Sequence, residues 1–341
     1  MQPSNPNMGA YIKAISYYLP EEVLTNADLV RIFPQLTEVE IFRATGIRKR
    51  HITPHGIIGS DLAYLSAIKF FDEHPIKKKE IDFLLFCTHG SDYNGPSSAC
   101  ILQDRIGLPN HCGAMDIPYG CTGFVYGTAI AKSLIESNLA KNVLLLTSDI
   151  PTTVIRPENH ELRAIFGDGA ACTLFSISKN NSSIGDFVFG TDGRGAKNLI
   201  VRNSGRREPV TMEYLEKNSD AGGMLNGTME MNGAEIFIFA VKVVPTMVKQ
   251  VLEKNNLQQD DIDLFIFHQA SGFLLEILRK KLKIPKENFF VYLENVGNTV
   301  SATIPIALKE AIKEGKAKTG DKILLAGFGI GYSWAGTVIQ L

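Results

Sequence analysis

The sequence predicts an α/β protein made of two copies of one strand–helix unit, and three observations lead there. Strand-like and helix-like segments alternate along most of the chain, the pattern of a mainly parallel sheet covered by helices. The clearest strand candidate, residues 81–87, is a continuous apolar run, which implies cover on both faces. The second half also repeats the first. KKKEIDFLLFC (77–87) aligns with QQDDIDLFIFH (258–268), and each is flanked by helical patterns.

In chain order, residues 11–18 read as a strand turned by Leu19-Pro20-Glu21. Thr25-Asn26-Ala27-Asp28 opens a helix, with Asn26 as the expected N-cap. Residues 44–52, ATGIRKRHI, read as a turn into a basic strand. An amphipathic helix over 61–73 precedes the strand 81–87, and another helix follows over 96–106. A short strand over 114–117 then leads through Pro118-Tyr119-Gly120 to Cys121 and a long Ala/Ile/Leu-rich helix. A strand over 143–147 and the glycine-rich FGDGAA (166–171) lead into a closing strand over 172–177. In the second copy a helix over 233–255 precedes the strand ending at His268. Asn298 opens the next helix where the first copy has Cys121, and FGIGYSWAGTVI (328–339) closes the unit. The halves divide near residue 180, as 1–180 and 181–341. No Pro/Gly/Ser-rich linker separates them, so one packed body is expected.

Composition excludes several function classes. The chain has 341 residues, 45% hydrophobic, with a formal net charge of -1. That balance gives no bulk electrostatic case for nucleic acid or membrane binding. Its apolar runs are far too short to span a bilayer. The N-terminal MQPSNPNMGA lacks the basic and apolar regions of a secretory leader. Five cysteines without framework spacing read as reduced thiols of a cytoplasmic protein. Neither His111-Cys112 nor Cys87-Thr88-His89 has a matching second pair, so no metal site is expected.

Three residues stand out chemically. Cys121 sits where a strand ends and a helix begins, beside backbone N–H groups that lack intrahelical partners. That position is expected to lower the thiol pKa and favour the nucleophilic thiolate. If the halves pack about a pseudo-twofold axis, Cys121 and Asn298 converge near it. His268 ends an apolar strand, where open α/β sheets place ligands. The repeat alone nominates Cys121, His268 and Asn298 for one cleft. Plainer readings stand beside these: a buried inert cysteine, a helix-capping asparagine, a structural histidine. His51, His55, His74, His111 and His160 stay in that structural class. FGDGAA carries no following Lys-Ser/Thr and reads as a structural turn, not a phosphate loop. The basic stretch 202–207 reads as a solvated loop.

With those residues in view, the chain resembles the β-ketoacyl-acyl-carrier-protein synthase III family of the thiolase superfamily, over nearly its whole length. The resemblance rests on TGIRKRHI (45–52), DIPYGCTGF (116–124), FGDGAA (166–171), MNGAEIFIFAV (231–241), HQA (268–270), GNTVSATIPIAL (297–308) and FGIGYSWAG (328–336). It implies the five-layer αβαβα thiolase fold and a homodimer. It further implies Cys121 as nucleophile, with His268 and Asn298 completing a triad. The backbone N–H groups of Cys121 and Ile330 would form the oxyanion hole. Glycine or alanine is commoner at the Ile330 position. The implied substrates are coenzyme A or phosphopantetheine thioesters and malonyl-acyl-carrier protein, with no cofactor and no metal.

The chain also departs from the family pattern. The usual coenzyme A-gripping aromatic and arginine near TGI are Glu40 and Ala44 here, and a further arginine is His160. HQA is followed by Ser271-Gly272-Phe273 in place of Asn-Leu-Arg. Arg48, Arg156, Arg163, Ser271 and Phe273 are therefore the candidate substrate-binding positions. Arg48, Lys49 and Arg50 are expected to face an acidic carrier protein, with carrier-borne acyl groups preferred over coenzyme A thioesters. A decarboxylating condensing enzyme is the favoured reading. An acyltransferase to an oxygen or nitrogen acceptor on the same scaffold stays open. The intact triad argues against a non-catalytic subunit. A hydroxymethylglutaryl-type synthase lacks a well-placed glutamate before Cys121.

Overall fold

The computed structural model describes residues 9–178, 183–217 and 227–341. The expected division at 180/181 lies outside the described residues. The first five-stranded sheet contains β1 (Gly9–Tyr18), β2 (Phe83–Cys87), β3 (Gly113–Ile117), β4 (Asn142–Asp149) and β5 (Gly169–Ser178). The second contains β6 (Val188–Thr191), β7 (Leu264–Phe267), β8 (Phe289–Phe290), β9 (Lys322–Gly329) and β10 (Ser333–Gln340). Their strand orders are β1-β5-β4-β2-β3 and β6-β10-β9-β7-β8, the same order in register with the sequence repeat.

Both sheets are mixed, which corrects the mainly parallel expectation. β2 pairs in parallel with β3 and β4, and β7 with β8 and β9. The closing strands β5 and β10 run antiparallel to their neighbours on both sides. For β10 the cause is local. The Ile330-Gly331-Tyr332 turn carries the chain from Gly329 straight back to Ser333, and so tight a turn permits only an antiparallel partner.

Among the described residues six longer helices cover the sheets: α1 (Gly59–Glu73), α2 (Ser98–Ile106), α3 (Gly123–Glu136), α4 (Gly233–Lys254), α5 (Gly272–Lys281) and α6 (Thr303–Lys313). Side chains alternate across each strand, so one apolar run feeds two cores. In the first sheet Leu84, Phe86, Leu144 and Leu146 pack against Ala63, Ala67 and Phe70 of α1 and Leu102 of α2. Leu85, Val143 and Leu145 face the other way, onto Phe124 and Val125 of α3 and Ile304 and Leu308 of α6. The same core takes Leu264, Ile266, Ile323 and Leu325 from the second sheet. The outer face of that sheet packs on α4 and α5 through Phe265, Phe267 and Leu324. Helices, sheet, helices, sheet, helices: five layers follow from continuous apolar strands, each such side chain contributing roughly 1.5–3 kcal/mol on burial.

The first short helix, Asn26–Ile32, is capped by Thr25 and not by Asn26. Thr25 and Asp28 satisfy each other's backbone N–H groups in a capping box. Asn26 is free for another task. It is buried, donates to Ile47 O at 2.8 Å and accepts from Arg50 at 2.9 Å. Among the described residues, no helix is long and apolar enough to cross a membrane.

Candidate active site

β3 ends at Ile117, and α3 begins at Gly123 behind the N-cap Thr122. A 2.7 Å bond from Gly123 N to Gly120 O closes the turn and holds Cys121 between them. Cys121 is buried among Ile155, Leu162, Phe166 and Val300, with Met229, Met231 and Ile330 partly buried around that cluster. Gly329 lies directly over the thiol, and a methyl group there would sit 2.7 Å from Cys121 Sγ. The N–H groups of Ile330 and of Cys121 itself hydrogen-bond the sulfur and pull its pKa down. Burial outweighs them, aided by Asp149, and the thiol is pushed up to about 11. The expected lowering by the helix terminus is therefore overturned: in an apolar pocket the cost of a bare thiolate exceeds what two N–H groups return.

His268 follows the last residue of β7, its N–H still bonded to Ala326 O at 2.8 Å. The ring is buried and meets Phe328 edge-to-face at 5.8 Å, and Nδ1 lies 2.7 Å from Thr303 Oγ1. Burial drives its pKa down to about 3, so the ring is neutral near pH 7. Asn298 is pinned to the other half of the chain. Its N–H donates to Ile165 O at 2.9 Å, and its carbonyl accepts from Gly167 N at 3.0 Å. Its side-chain Oδ1 accepts from Val300 N at 2.9 Å while Nδ2 donates to Ala270 O at 3.3 Å, which fixes the orientation of the amide.

Asn298 does not open a helix directly. α6 starts only at Thr303, after a 3-10 turn over Val300–Ala302. Val300 has φ +55°, a conformation that β-branched side chains rarely adopt. This detour turns the Val300 N–H back onto Asn298. The run Phe328-Gly329-Ile330 then joins the site: Phe328 touches His268, while Gly329 and Ile330 touch Cys121. Val300 meets Cys121 through its side chain and Asn298 through its backbone. Cys121 is thus linked to His268 through the Phe328–Ile330 run and to Asn298 through Val300.

The other candidates are engaged in contacts of their own. Arg48 is exposed, pairs with Glu294 at 2.6 Å and lies 4.3 Å over the Phe42 ring. Arg156 faces Glu158 at 3.7 Å. Arg163 donates to Pro157 O at 2.9 Å and lies against the Phe33 ring. Ser271 caps α5 by accepting from Leu274 N. Phe273 is 53% exposed and stacks on Phe237 at 6.0 Å. Arg50, expected to be an outer basic residue, is fully buried and donates to Leu24 O, Asn26 Oδ1 and Ala164 O. Its strand turns it inward, where it ties two short helices together.

Asp149, Val300 and Thr303 join the site without having stood out in the sequence. Asp149 is buried, and its carboxylate accepts from His89 N at 2.9 Å and from Ser301 N and Oγ at 3.2 and 2.5 Å. It anchors the 3-10 turn to the end of β4. A carboxylate closing an apolar strand, and a hydroxyl at a helix start, were the available signals.

Two family models match, described as 3-oxoacyl-[acyl-carrier-protein] synthase III over residues 115–193 and its C-terminal part over 252–341. The β-ketoacyl-[acyl-carrier-protein] synthase III of Caldanaerobacter subterraneus subsp. tengcongensis is 36% identical over 333 residues, covering 98% of each chain. That of Campylobacter fetus subsp. fetus is 35% identical over 332 residues, 97% of this chain and 98% of the relative. A crystal structure of a 3-oxoacyl-(acyl-carrier-protein) synthase III superposes with a TM-score of 0.92 at 41% identity, covering 98% of this chain and 100% of the other. The priming β-ketosynthase of the R1128 polyketide pathway superposes with a TM-score of 0.87 at 25% identity, covering 98% and 97%. This chain belongs to the β-ketoacyl-acyl-carrier-protein synthase III family and is a condensing enzyme with the thiolase fold.

Proposed function

We propose that Cys121, His268 and Asn298 carry a decarboxylative condensation of an acyl group with a malonyl thioester. The observation that supports this most is the Phe328–Ile330 run, which touches the histidine with one residue and the cysteine with the next two. Cys121 Sγ attacks the carbonyl carbon of an acyl thioester. An S–C bond forms, the donor's C–S bond breaks, and the Cys121 proton leaves with the donor as its thiol. The N–H groups of Cys121 and Ile330, already aimed at the sulfur, receive the oxyanion. The malonyl thioester then loses carbon dioxide, and the electron pair of the broken C–C bond passes into an enolate. Neutral His268 and the Asn298 amide donate to the enolate oxygen. The enolate carbon attacks the acyl-Cys121 carbonyl, the Sγ–C bond breaks, and a proton from solvent restores the thiol.

Intact-mass measurement after mixing with an acyl thioester tests the first step. Cys121→Ala is expected to gain no acyl mass, and a gain would remove Cys121 from the role. Retained acyl uptake with no carbon dioxide release from a malonyl thioester would favour the non-condensing acyltransferase instead.

The acyl donor in this reading is a carrier protein. Glu40 is held in a capping box with Thr37, and both nearby arginines are engaged, Arg163 with Pro157 O and Arg156 with Glu158. Nothing at Glu40, Ala44, His160 or Phe273 replaces a bidentate phosphate grip. Two lost charge-assisted contacts at roughly 1.5–3 kcal/mol each weaken nucleotide binding by about two to four orders of magnitude. Equal specificity constants for one acyl group on coenzyme A and on carrier protein would sink this preference. A cytoplasmic homodimer is also part of the proposal. β3 is an edge strand with Met115 exposed, and open edges invite pairing. Light scattering showing a monomer at working concentration would contradict it. The steps balance without a metal or redox cofactor, so none is included.

A further inference from the structure

The side chains around Cys121 differ in stiffness. The fully buried ones are already packed against each other, and close-packed interiors leave little spare volume. An acyl group on the sulfur has to find its room among the partly buried ones, Ile165, Met229, Met231 and Ile330. Methionine is unbranched and turns about three bonds, so it adapts to what it meets. Isoleucine is branched at Cβ and nearly fixed at χ1. Of these four residues, Ile330 is the one whose N–H bonds the Cys121 sulfur, which sets its side chain beside the reacting atom. Its backbone is also held. Ser333 Oγ donates to Ile330 O at 2.8 Å. With that proton committed, Ser333 Oγ accepts from Thr122 Oγ1 at 2.9 Å, and Thr122 directly follows Cys121. Ser333 and Thr122 are both buried. Gly329 and Gly331 flank Ile330, so it carries the one side chain between Phe328 and Tyr332.

We propose that Ile330 is a specificity-determining residue, whose side chain admits straight acyl groups to Cys121 and turns away those branched at the carbon next to the carbonyl. The inference rests on reading Cys121 as the residue that carries the acyl group. The carbonyl oxygen of that group goes to the N–H groups of Ile330 and Cys121, so the next carbon lies one bond from an atom fixed beside Ile330. A straight chain has a single carbon substituent there, and it can run toward Met229 and Met231, which give way. A second substituent at the same carbon has to point elsewhere. It meets the Cβ branch of Ile330, on a loop that the Thr122–Ser333 link keeps from retreating. The methionines therefore set how long the chain can be, and Ile330 sets how wide it can be at its start.

The test uses two isomers, the butanoyl and 2-methylpropanoyl thioesters of one acyl-carrier protein, which hold the same atoms and differ only in branching. Uptake by Cys121 is followed by intact mass, and the ratio of the two specificity constants is the readout. A general loss of folding or of the oxyanion donor slows both isomers alike and leaves that ratio where it was. The wild type is expected to favour the straight isomer by about tenfold or more, the scale on which a pocket rejects one misplaced methyl group. Ile330→Ala removes the branch and should lower the ratio by about tenfold or more. Ile330→Val keeps the branch and should lower it less, and it carries the test where alanine disturbs the loop. Met231→Ala should keep the ratio within about threefold of wild type, because a flexible wall does not set it. Equal uptake of both isomers by the wild type overturns the proposal. So does an unchanged ratio in both Ile330 variants, or a drop in Met231→Ala as large as in Ile330→Ala. Uptake of neither isomer by the wild type overturns the reading of Cys121, and the proposal with it.

Discussion

The two copies of the repeat place their functional residues by different means. In the first, Cys121 stands two residues before α3, in a short turn whose N–H groups point at its sulfur. In the second, Asn298 stands five residues before α6, and a 3-10 turn with Val300 at φ +55° fills the gap. A nucleophile needs a pocket and donors to one oxyanion, and a plain strand–turn–helix junction supplies both. In the proposed reaction the second site must aim two uncharged donors, an amide and an imidazole, at one oxygen. That requires extra backbone, and the strained turn provides it, anchored by Asp149 through Ser301. The same topology therefore yields a rigid cradle on one side and an orienting device on the other.

The largest expected effect breaks the first side alone. Gly329→Ala places a methyl group 2.7 Å from Cys121 Sγ, closer than any stable contact. Acyl uptake should fall by at least about a hundredfold, since displacements of about 1 Å at a reacting atom cost that much. Normal uptake with the fold intact by circular dichroism would show that the sulfur has room to move.

The second breaks the other side alone. His268→Ala and Asn298→Ala should each reduce carbon dioxide release from a malonyl thioester by on the order of a hundredfold. Acyl uptake should stay within about threefold, because neither side chain is assigned to that step. Equal losses in both assays would merge the two sites into one function.

A smaller effect sharpens the description of the cradle. Burial raises the Cys121 pKa to about 11, so the resting group is a thiol and its thiolate fraction grows about tenfold per pH unit below that value. Alkylation of Cys121 by iodoacetamide, followed on its own peptide, should still be rising past pH 9.0, the ordinary thiol value, with its inflection near about 11. A plateau at or below pH 9.0 would mean that the helix terminus outweighs burial.

How much of this was legible depends on what carried each feature. Cover on both faces of the sheets was readable because continuous apolar strands require it, as Leu84 and Leu85 illustrate by facing different cores; the five layers came with the family resemblance. Cys121 and Asn298 were nominated from their equivalent places in the repeat, and His268 from its place at the end of an apolar strand. The antiparallel closing strands were not, because an apolar run such as 172–177 carries no mark of direction. Arg50 was misplaced because charge predicts exposure on average, and only three dimensions reveal the three oxygens that accept from it. The Cys121 pKa went the wrong way because the helix terminus is local in sequence, while the burial opposing it comes from Ile155, Phe166 and Val300, all distant along the chain. Val300 was missed because a positive φ leaves no trace in a β-branched residue, and Thr303 because it lies 35 residues along the chain from the His268 ring it meets.

That positive φ supports the subtlest prediction, which concerns stability alone. Val300 is buried, so truncating it removes packing around Cys121 whichever residue replaces it. Alanine retains a Cβ and the strain, and loses the two methyl groups. Glycine loses about the same contacts but adopts φ +55° freely, which relieves on the order of 1–3 kcal/mol. Against this, the greater freedom of glycine in the unfolded chain costs about 0.5–1 kcal/mol. At an ordinary buried position glycine is the worse replacement; here Val300→Gly should be more stable than Val300→Ala by about 1 kcal/mol. Urea denaturation of the two variants measures the difference, with equal slopes required for the comparison. If alanine proves equal or better, the turn after Asn298 relaxes in solution. The second site would then orient its donors without stored strain, and the contrast with the Cys121 cradle would narrow to the number of residues before each helix.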